Sequence, residues 1–196
     1  GDVYKRQTQY MQNPIPTEGL MYHEFRTYQN IELPSGSKAN QRWCYVDTAD
    51  TGSDYLCAIC FINTPEMLYV IDVLYTQLPM EKTEVMLAKM LTENSITECL
   101  IESNNGGRQF ARNVKRITRA TLHNFKTAIN TFTQTKNKAA RIFSNSALVN
   151  SDVAFPENWD KKWREFYNAI TTYRKDNKRR AVSYTHLRAH ETDQYL

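Results

Sequence analysis

The chain has 196 residues and a formal net charge of +4 at pH 7, and 41% of its residues are hydrophobic. Its aromatic content of 12% is high for a disordered chain, and its length suits one domain with a sizeable core. No apolar run approaches the roughly 20 residues that cross a membrane. We therefore expect a globular domain without a membrane partner.

The two ends of the chain differ from its body. Residues 1–7 and 182–196 lack hydrophobic periodicity and resemble translated sequencing-adapter read-through, so we expect artefactual tails and a natural chain that continues at both ends. Residues 8–41 contain several prolines, glycines and polar residues, which predict an irregular lead-in or linker. Within this lead-in, Gly19–Phe25 is an apolar island that we expect to pack on the main domain, residues 42–181.

Three strand-like segments open the main domain. Residues 42–47, 54–63 and 67–77 are rich in β-formers and are separated by short turns. Strands joined in this way form an antiparallel meander. The turn after the first strand is acidic, with carboxylates at Asp47, Asp50 and Asp54.

Four cysteines lie in apolar, strand-like runs, at positions 44, 57, 60 and 99. Cys57 and Cys60 form a C-x-x-C pair, but they would point to opposite faces of one strand, which is a poor arrangement for zinc. We interpret all four cysteines as reduced residues of the core.

A helix and a fourth strand follow the meander. Pro79 predicts the helix start, because its missing N–H costs nothing in a first turn, and Asn94 lies at the predicted end. The predicted buried side of this helix consists of apolar residues: Val85, Met86, Leu87, Ala88, Met90 and Leu91. Residues 96–102 predict a strand reached by a helical crossover, hence parallel to the first strand and beside it. Asp47 and Glu102 would then lie side by side.

The remainder of the chain is predominantly basic. After Gly106-Gly107, a helix is predicted over about residues 108–123, and it carries a basic stripe of Arg108, Arg112, Lys115 and Arg119 at spacings of four, three and four. Residues 125–132 predict a short strand, and residues 136–146 a basic helix. A last amphipathic helix is predicted from a stripe of large apolar residues: Trp159, Trp163, Phe166, Ile170 and Tyr173. The element order predicts a mixed α/β sheet flanked by helices.

Charge is distributed unevenly along this order. From Asp47 to Glu102 there are ten acidic and two basic residues, whereas from Ser103 to Ser151 there are nine basic and no acidic residues. An acidic region next to a basic stretch favours a cation site beside a polyanion track. Ordinary charge segregation without any partner is the alternative.

Adjacent carboxylates indicate a specific chemistry. They repel each other and cannot both ionise readily without a cation between them, and oxygen ligands suit Mg²⁺. A pair of Mg²⁺ or Mn²⁺ ions can clamp the attacking and leaving oxygens of a phosphodiester. In the alternative interpretation, Asp47 and Glu102 are solvated strand ends, and Asp50 and Asp54 only form the turn.

Five motifs, in this order, carry a resemblance to a known family: Val46–Tyr55, Val70–Val73, Ile101–Gly107, Asn137–Ile142 and Phe155-Pro156. From about residue 10 to residue 180, the chain resembles the C-terminal, ribonuclease H-like nuclease domain of tailed-phage terminase large subunits, which package DNA. The resemblance implies a ribonuclease H-like mixed sheet: a three-strand antiparallel meander plus parallel strands. Residues 8–41 would join this nuclease to a packaging ATPase domain that is missing here.

The resemblance also implies the site. Asp47 and Glu102 would be the first two members of a catalytic acidic triad, and Asp50 and Asp54 would assist them in binding two Mg²⁺ or Mn²⁺ ions. The family's third acid follows the last helix, where this chain enters its tail, so we expect that acid to be missing and nuclease activity to be weak or absent. The expected DNA-binding residues are Asn105, Arg108, Arg112, Lys136, Lys138 and Arg141.

The implied activity is endonucleolytic cutting of concatemeric double-stranded DNA. The implied partners are a portal protein and a small terminase subunit, and the implied location is the host cytoplasm, at the procapsid. Two other functions stay open from the residues. One is another ribonuclease H-like nuclease of the resolvase or transposase type, and the other is a non-catalytic, basic DNA-binding or protein-binding module.

Overall fold

A computed structural model describes six segments of the chain: residues 19–22, 24–31, 41–48, 55–103, 106–133 and 149–174. Among these residues the strands are β1 (Arg26–Tyr28), β2 (Arg42–Asp47), β3 (Leu56–Asn63), β4 (Leu68–Thr76), β5 (Glu98–Glu102), β6 (Ala128–Phe132) and β7 (Val153–Pro156). The helices are α1 (Met80–Glu93), α2 (Gly107–Arg116), α3 (Trp159–Lys162) and α4 (Arg164–Thr171). A π-helical turn at Ile117–Thr121 continues α2.

The strands form one mixed sheet in the order β1-β7-β4-β3-β2-β5-β6. Strand β3 is antiparallel to both of its neighbours, and the other pairs in the sheet are parallel. The predicted meander is therefore confirmed as β2-β3-β4, and the predicted parallel strand β5 lies beside β2. Strand β1, which the sequence pattern did not predict, pairs with β7 at the opposite edge.

Helices cover both faces of the sheet. On one, the α1/α2 face, Cys44 and Val46 of β2 pack in a core with Leu87 of α1 and Phe110 of α2. On the other, the α3/α4 face, Tyr45 of β2 packs in a second core with large residues of the last two helices: Trp159, Trp163, Phe166 and Ile170. Alternation along each strand thus divides its side chains between two cores.

The cysteines are buried in the core, as predicted. Cys44 pairs across the sheet with Cys60 on β3 and with Cys99 on β5, and all three belong to the core under α1 and α2. Cys57 lies in the core of the opposite face. Burial raises the pKa of the Cys44, Cys60 and Cys99 thiols.

The buried side of α1 differs from the prediction. Val85 and Met86 are 39% and 38% exposed, whereas Thr83 and Glu84 are buried. Glu84 faces α2, where its Oε1 accepts a hydrogen bond of 2.9 Å from Asn113 Nδ2. The prediction was wrong here because it counted apolar residues, while a hydrogen bond between two helices allows a carboxylate to be buried.

The last helical stretch is interrupted. Trp163 lies between α3 and α4 with φ −129° and ψ 57°, which is not helical, so the predicted single helix is two. Trp159 and Trp163 are still both buried, at 3% and 8% exposure. The aromatic stripe therefore predicted burial correctly but not the continuity of the backbone.

The apolar island of the lead-in packs on the sheet domain, as predicted. Met21 and Tyr22 are buried, and Met21 N–H donates a 2.9 Å hydrogen bond to the carbonyl of Tyr173. Phe25 packs edge-on against Phe155 and Trp159. The predicted helix at 136–146 lies outside the described residues. Within the described segments, every helix is too short or too polar to cross a membrane.

Candidate functional site

Asp47 and Glu102 end two neighbouring parallel strands. The paired register of β2 and β5 runs to Val46 opposite Ile101, and the two acidic residues come next on their strands. Parallel strands lie about 4.8 Å apart. Because Tyr45 and Leu100, two residues earlier, both face the α3/α4 core, Asp47 and Glu102 also lie on that face. The crossover that was predicted from the sequence therefore produces this adjacency.

The acidic pair lies within a row of residues that crosses five strands. Phe132 of β6 pairs with Glu102, Asp47 pairs with Cys57 of β3, and Cys57 pairs with Tyr75 of β4. Glu102 is only 9% exposed, whereas Asp47 is half-buried. The row thus has its carboxylates in the middle and an aromatic ring at each end.

Helix α2 is seated directly on the end of β5. A Cβ placed on Gly107, its first residue, would collide with the carbonyl oxygen of Glu102 and would lie 3.2 Å from Thr48 Oγ1. Gly106 before it has φ +92°, a left-handed conformation that favours glycine. Thr48 Oγ1 also donates a long, 3.5 Å hydrogen bond to the Glu102 carbonyl. Gly107 is needed for this close approach, which fixes the backbone of Glu102, and Gly106 allows the left-handed turn before it.

The basic stripe leads away from the carboxylates. Arg108 lies one residue after the contact between Gly107 and Glu102, and it is exposed. Arg112 and Arg119 are exposed and lie further along α2 and its π-helical extension, and Lys115 is half-buried. At 1.5 Å per helical residue, Arg119 is about 16 Å beyond Arg108 along the axis. Helix α2 covers the opposite sheet face, so only its N-terminal end is near the acidic pair.

The remaining predicted site residues, namely Asp50, Asp54, Asn105, Lys136, Lys138 and Arg141, lie outside the described residues. In the part of the chain that the structure describes, no group of three or more His, Cys, Asp or Glu side chains could hold a metal ion. Asp47 and Glu102 supply two neighbouring carboxylates, a donor type that fits Mg²⁺ or Mn²⁺.

Asp72, another acidic residue of the sheet, has a structural role. It lies at a β-bulge in β4, opposite Cys60 and on the α1/α2 face. Its Oδ1 accepts a 3.0 Å hydrogen bond from Val73 N–H, and its Oδ2 accepts a 2.8 Å bond from Asn94 Nδ2 at the end of α1. Asp72 therefore joins the sheet to a helix end, away from the acidic pair.

Sequence reasoning missed three residues beside the pair: Thr48, Cys57 and Tyr75. Thr48 directly follows Asp47, but its contact with Glu102 depends on the pairing of β2 with β5. Cys57 and Tyr75 enter the row only through the register of the meander, which the turn signals alone do not give. A register drawn from the hydrophobic alternation of all three strands could have found them.

Comparison with known proteins agrees with this architecture. The family described as Terminase Bacteriophage T7, Ribonuclease H-like domain, matches residues 46–150, just over half of the chain. A search of the curated proteins found no match. The human cytomegalovirus terminase nuclease domain, soaked with Mn and bound to an inhibitor, is similar at a TM-score of 0.57 and 12% identity, over 100% of this chain and 93% of that chain. The large terminase of a thermophilic bacteriophage gives 0.53 at 10% identity, over 100% of this chain and 52% of that chain. The fold is ribonuclease H-like.

Proposed function

Since this chain belongs to the terminase ribonuclease H-like domain family, we propose that it is the metal-dependent endonuclease domain of a viral DNA-packaging terminase. The proposed reaction is hydrolysis of a phosphodiester in concatemeric double-stranded DNA. The observation that carries this proposal is the adjacency of Asp47 and Glu102 at the ends of parallel strands, with the Glu102 backbone held by Gly107.

Asp47 and Glu102 would hold the cations, for which we propose two Mg²⁺ or Mn²⁺ ions. When bound, such ions lower the pKa of a water for in-line attack and stabilise the departing oxygen. The solved cytomegalovirus nuclease domain was soaked with Mn, which supports the choice of ion. Asp50 and Asp54, in the turn that follows Asp47, are proposed as further oxygen ligands.

The chain itself supplies position and charge. Glu102 is almost fully buried, so its carboxylate has little freedom, and the contact between Gly107 and its carbonyl fixes its backbone. Asp47 is more exposed than Glu102. A preorganised pair of this kind binds a cation without first losing side-chain freedom.

DNA would be held by its phosphates. Arg108 is the exposed base nearest to the acidic pair along α2, and Arg112 lies one turn further. We propose that both contact the backbone of the cut strand, together with Asn105, Lys136, Lys138 and Arg141, and that none of them reads sequence. A portal protein and a small terminase subunit are the proposed partners, in the host cytoplasm at the procapsid.

Metal binding and cleavage can be tested on the same preparations. Titration calorimetry with Mn²⁺ should detect binding to the native chain and none to the double variant Asp47→Asn/Glu102→Gln. Any Mn²⁺-dependent nicking of a plasmid should disappear in Asp47→Asn, because that variant keeps the shape of the side chain and loses its charge. Equal Mn²⁺ binding by the native chain and the double variant would refute the proposed site. Metal-independent DNA binding with no Mn²⁺ binding would instead favour a non-catalytic DNA-binding module.

A further inference from the structure

Two tyrosines form a parallel stack beside the acidic pair. The rings of Tyr55 and Tyr75 have their centroids 4.3 Å apart, with an angle of only 10° between the ring planes. Both residues are half-buried. Their position is given by the register of the meander, because Tyr75 pairs with Cys57 and Tyr55 lies two residues before Cys57. The stack therefore lies on the α3/α4 face, at the edge of the sheet where β2 and β5 end.

The stack is close to Asp47. Cys57 is the cross-strand partner of both Asp47 and Tyr75, so Tyr75 is two strands, about 10 Å, from the acidic residue. Tyr55 is the diagonal neighbour of Asp47 across β2 and β3, at about 7–8 Å. These separations between strand positions are short compared with a DNA strand of a few nucleotides, since even stacked duplex DNA rises about 3.4 Å per nucleotide.

The core holds the stack in place. Tyr75 contacts Phe166 edge-on, with centroids 5.9 Å apart, and Phe166 is buried at 1% exposure. Phe166 in turn contacts Trp159. An aromatic series thus leads outward from a rigid core to two rings that keep partial access to solvent. Such rings lose little entropy when a third ring joins the stack.

A second tyrosine pair, which also includes a residue of β4, has a different ring geometry. Tyr28 and Tyr69, near the opposite end of the sheet, meet edge-on at 89°. The Tyr28 hydroxyl donates a 2.6 Å hydrogen bond to the Val70 carbonyl, and burial raises the pKa of Tyr28 to about 12. The edge-on geometry and this bond account for that pair structurally. In the Tyr55–Tyr75 pair the ring planes are nearly parallel, the arrangement that a further planar ring extends by stacking.

We propose that Tyr55 and Tyr75 form a platform on which one unpaired DNA base stacks, a few nucleotides from the phosphate at the cation site proposed for Asp47 and Glu102. This inference rests on the proposed function. Base stacking on aromatic rings tolerates any sequence, because every base has a π-face, and it requires a base that has left the duplex. The platform would therefore favour DNA that is single-stranded or locally unpaired beside the cut.

The test measures the affinity of the chain for two fluorescent single strands of equal length in a buffer that contains Ca²⁺. One strand has normal bases, and the other has abasic nucleotides throughout. Their phosphate charges are equal, so a difference in affinity reports contacts with the bases. We expect the native chain to prefer the strand with bases by about tenfold. Tyr55→Leu should lose most of this preference and keep its affinity for the abasic strand, whereas Tyr55→Phe should retain the preference. Tyr69→Leu, a half-buried tyrosine of the same sheet, is the matched control and should behave as native.

The outcomes separate the two proposals. If the native chain binds neither single strand, the platform is wrong, and the proposed function, which concerns duplex DNA, is decided by Mn²⁺ calorimetry and plasmid nicking. If it binds both strands equally, or if Tyr55→Leu keeps the full preference, DNA binding stands and the platform is wrong. The abasic strand also serves as a folding control, because a misfolded variant would lose affinity for both strands.

Discussion

The carbonyl oxygen of Glu102 occupies the space that a side chain on Gly107 would need. A Cβ on Gly107 would lie 2.9 Å from the carbonyl carbon of Glu102 and would collide with its oxygen. The first residue of α2 therefore packs against the last residue of β5 without any intervening atoms. This contact links the helix that carries the basic stripe to the strand that carries the buried carboxylate.

Gly107→Ala should consequently damage both the fold and the site. Because the collision is with backbone, the helix must move, and we expect the free energy of unfolding to fall by about 3 kcal/mol. Urea denaturation and Mn²⁺ calorimetry would measure the two effects.

Gly106→Ala is the matched control. Its Cβ would meet only Met80 Cε, at 4.0 Å, so the cost should be about 1–2 kcal/mol from the left-handed backbone, with Mn²⁺ binding preserved. Equal effects of the two substitutions on Mn²⁺ binding would contradict this account.

Mn²⁺ should stabilise the native chain through the acidic pair. A ligand that binds only the folded state, at a hundredfold excess over its Kd, adds about 2.7 kcal/mol to the free energy of unfolding. Glu102→Gln should abolish most of this increment, because a neutral amide is a weak ligand for a hard cation. Thermal unfolding with and without Mn²⁺ provides the measurement. A shift in Tm that is unchanged in Glu102→Gln would place the metal elsewhere.

Asp72→Ala should lower the stability of the chain without changing its response to Mn²⁺. The substitution removes the acceptor for Val73 N–H and for Asn94 Nδ2, so we expect a loss of about 1–2 kcal/mol of stability. The Mn²⁺-induced shift in Tm should stay at its native size, since Asp72 faces the α1/α2 core. Denaturation of the variant with and without Mn²⁺ measures both the loss of stability and the Mn²⁺-induced shift. Loss of the Mn²⁺ response would show that Asp72 belongs to the metal site.

The sequence predicted the sheet near the site well, for identifiable reasons. Strand β2 was predicted with its observed bounds, residues 42–47, because turn signals lie on both sides of a β-rich run. The prediction that β5 lies beside β2 followed from a rule of topology: a strand that is reached through a helical crossover runs parallel to the strand before the helix. Both inferences depend on local signals and on general rules of topology.

Features that depend on tertiary contacts could not be predicted in the same way. Strand β1 has three residues and no apolar alternation, and it exists because the edge of β7 is available to pair with it. Gly106-Gly107 was visible only as the point after which a helix begins, and the steric reason for Gly107 is the carbonyl of Glu102, five residues earlier. The break at Trp163 likewise leaves no mark in the apolar periodicity.

Position along α2 should decide which bases contribute to DNA binding. Arg108→Gln should lower affinity for duplex DNA and reduce the slope of log K against log salt by about 0.9, the value for one lost phosphate contact. Arg119→Gln removes the same charge about 16 Å further along the helix and should change the slope less. Binding measured across a salt series distinguishes them. Equal slopes in the two variants would mean that the whole stripe, rather than its N-terminal end, follows the DNA.

Alkaline pH should destabilise the folded chain through three buried cysteines that are neighbours across the sheet. Burial holds the pKa of Cys44, Cys60 and Cys99 above that of an exposed thiol. Above about pH 8.5 the unfolded state therefore releases thiol protons that the folded state retains. The free energy of unfolding keeps its full value below that pH. Above it, the free energy falls as pH rises, by about 1 kcal/mol per buried thiol for each pH unit. Urea denaturation between pH 7 and about 9.5 should show this slope, and Cys99→Ala should make it shallower even if that variant is less stable at pH 7. An identical slope in Cys99→Ala would mean that other groups cause the alkaline loss.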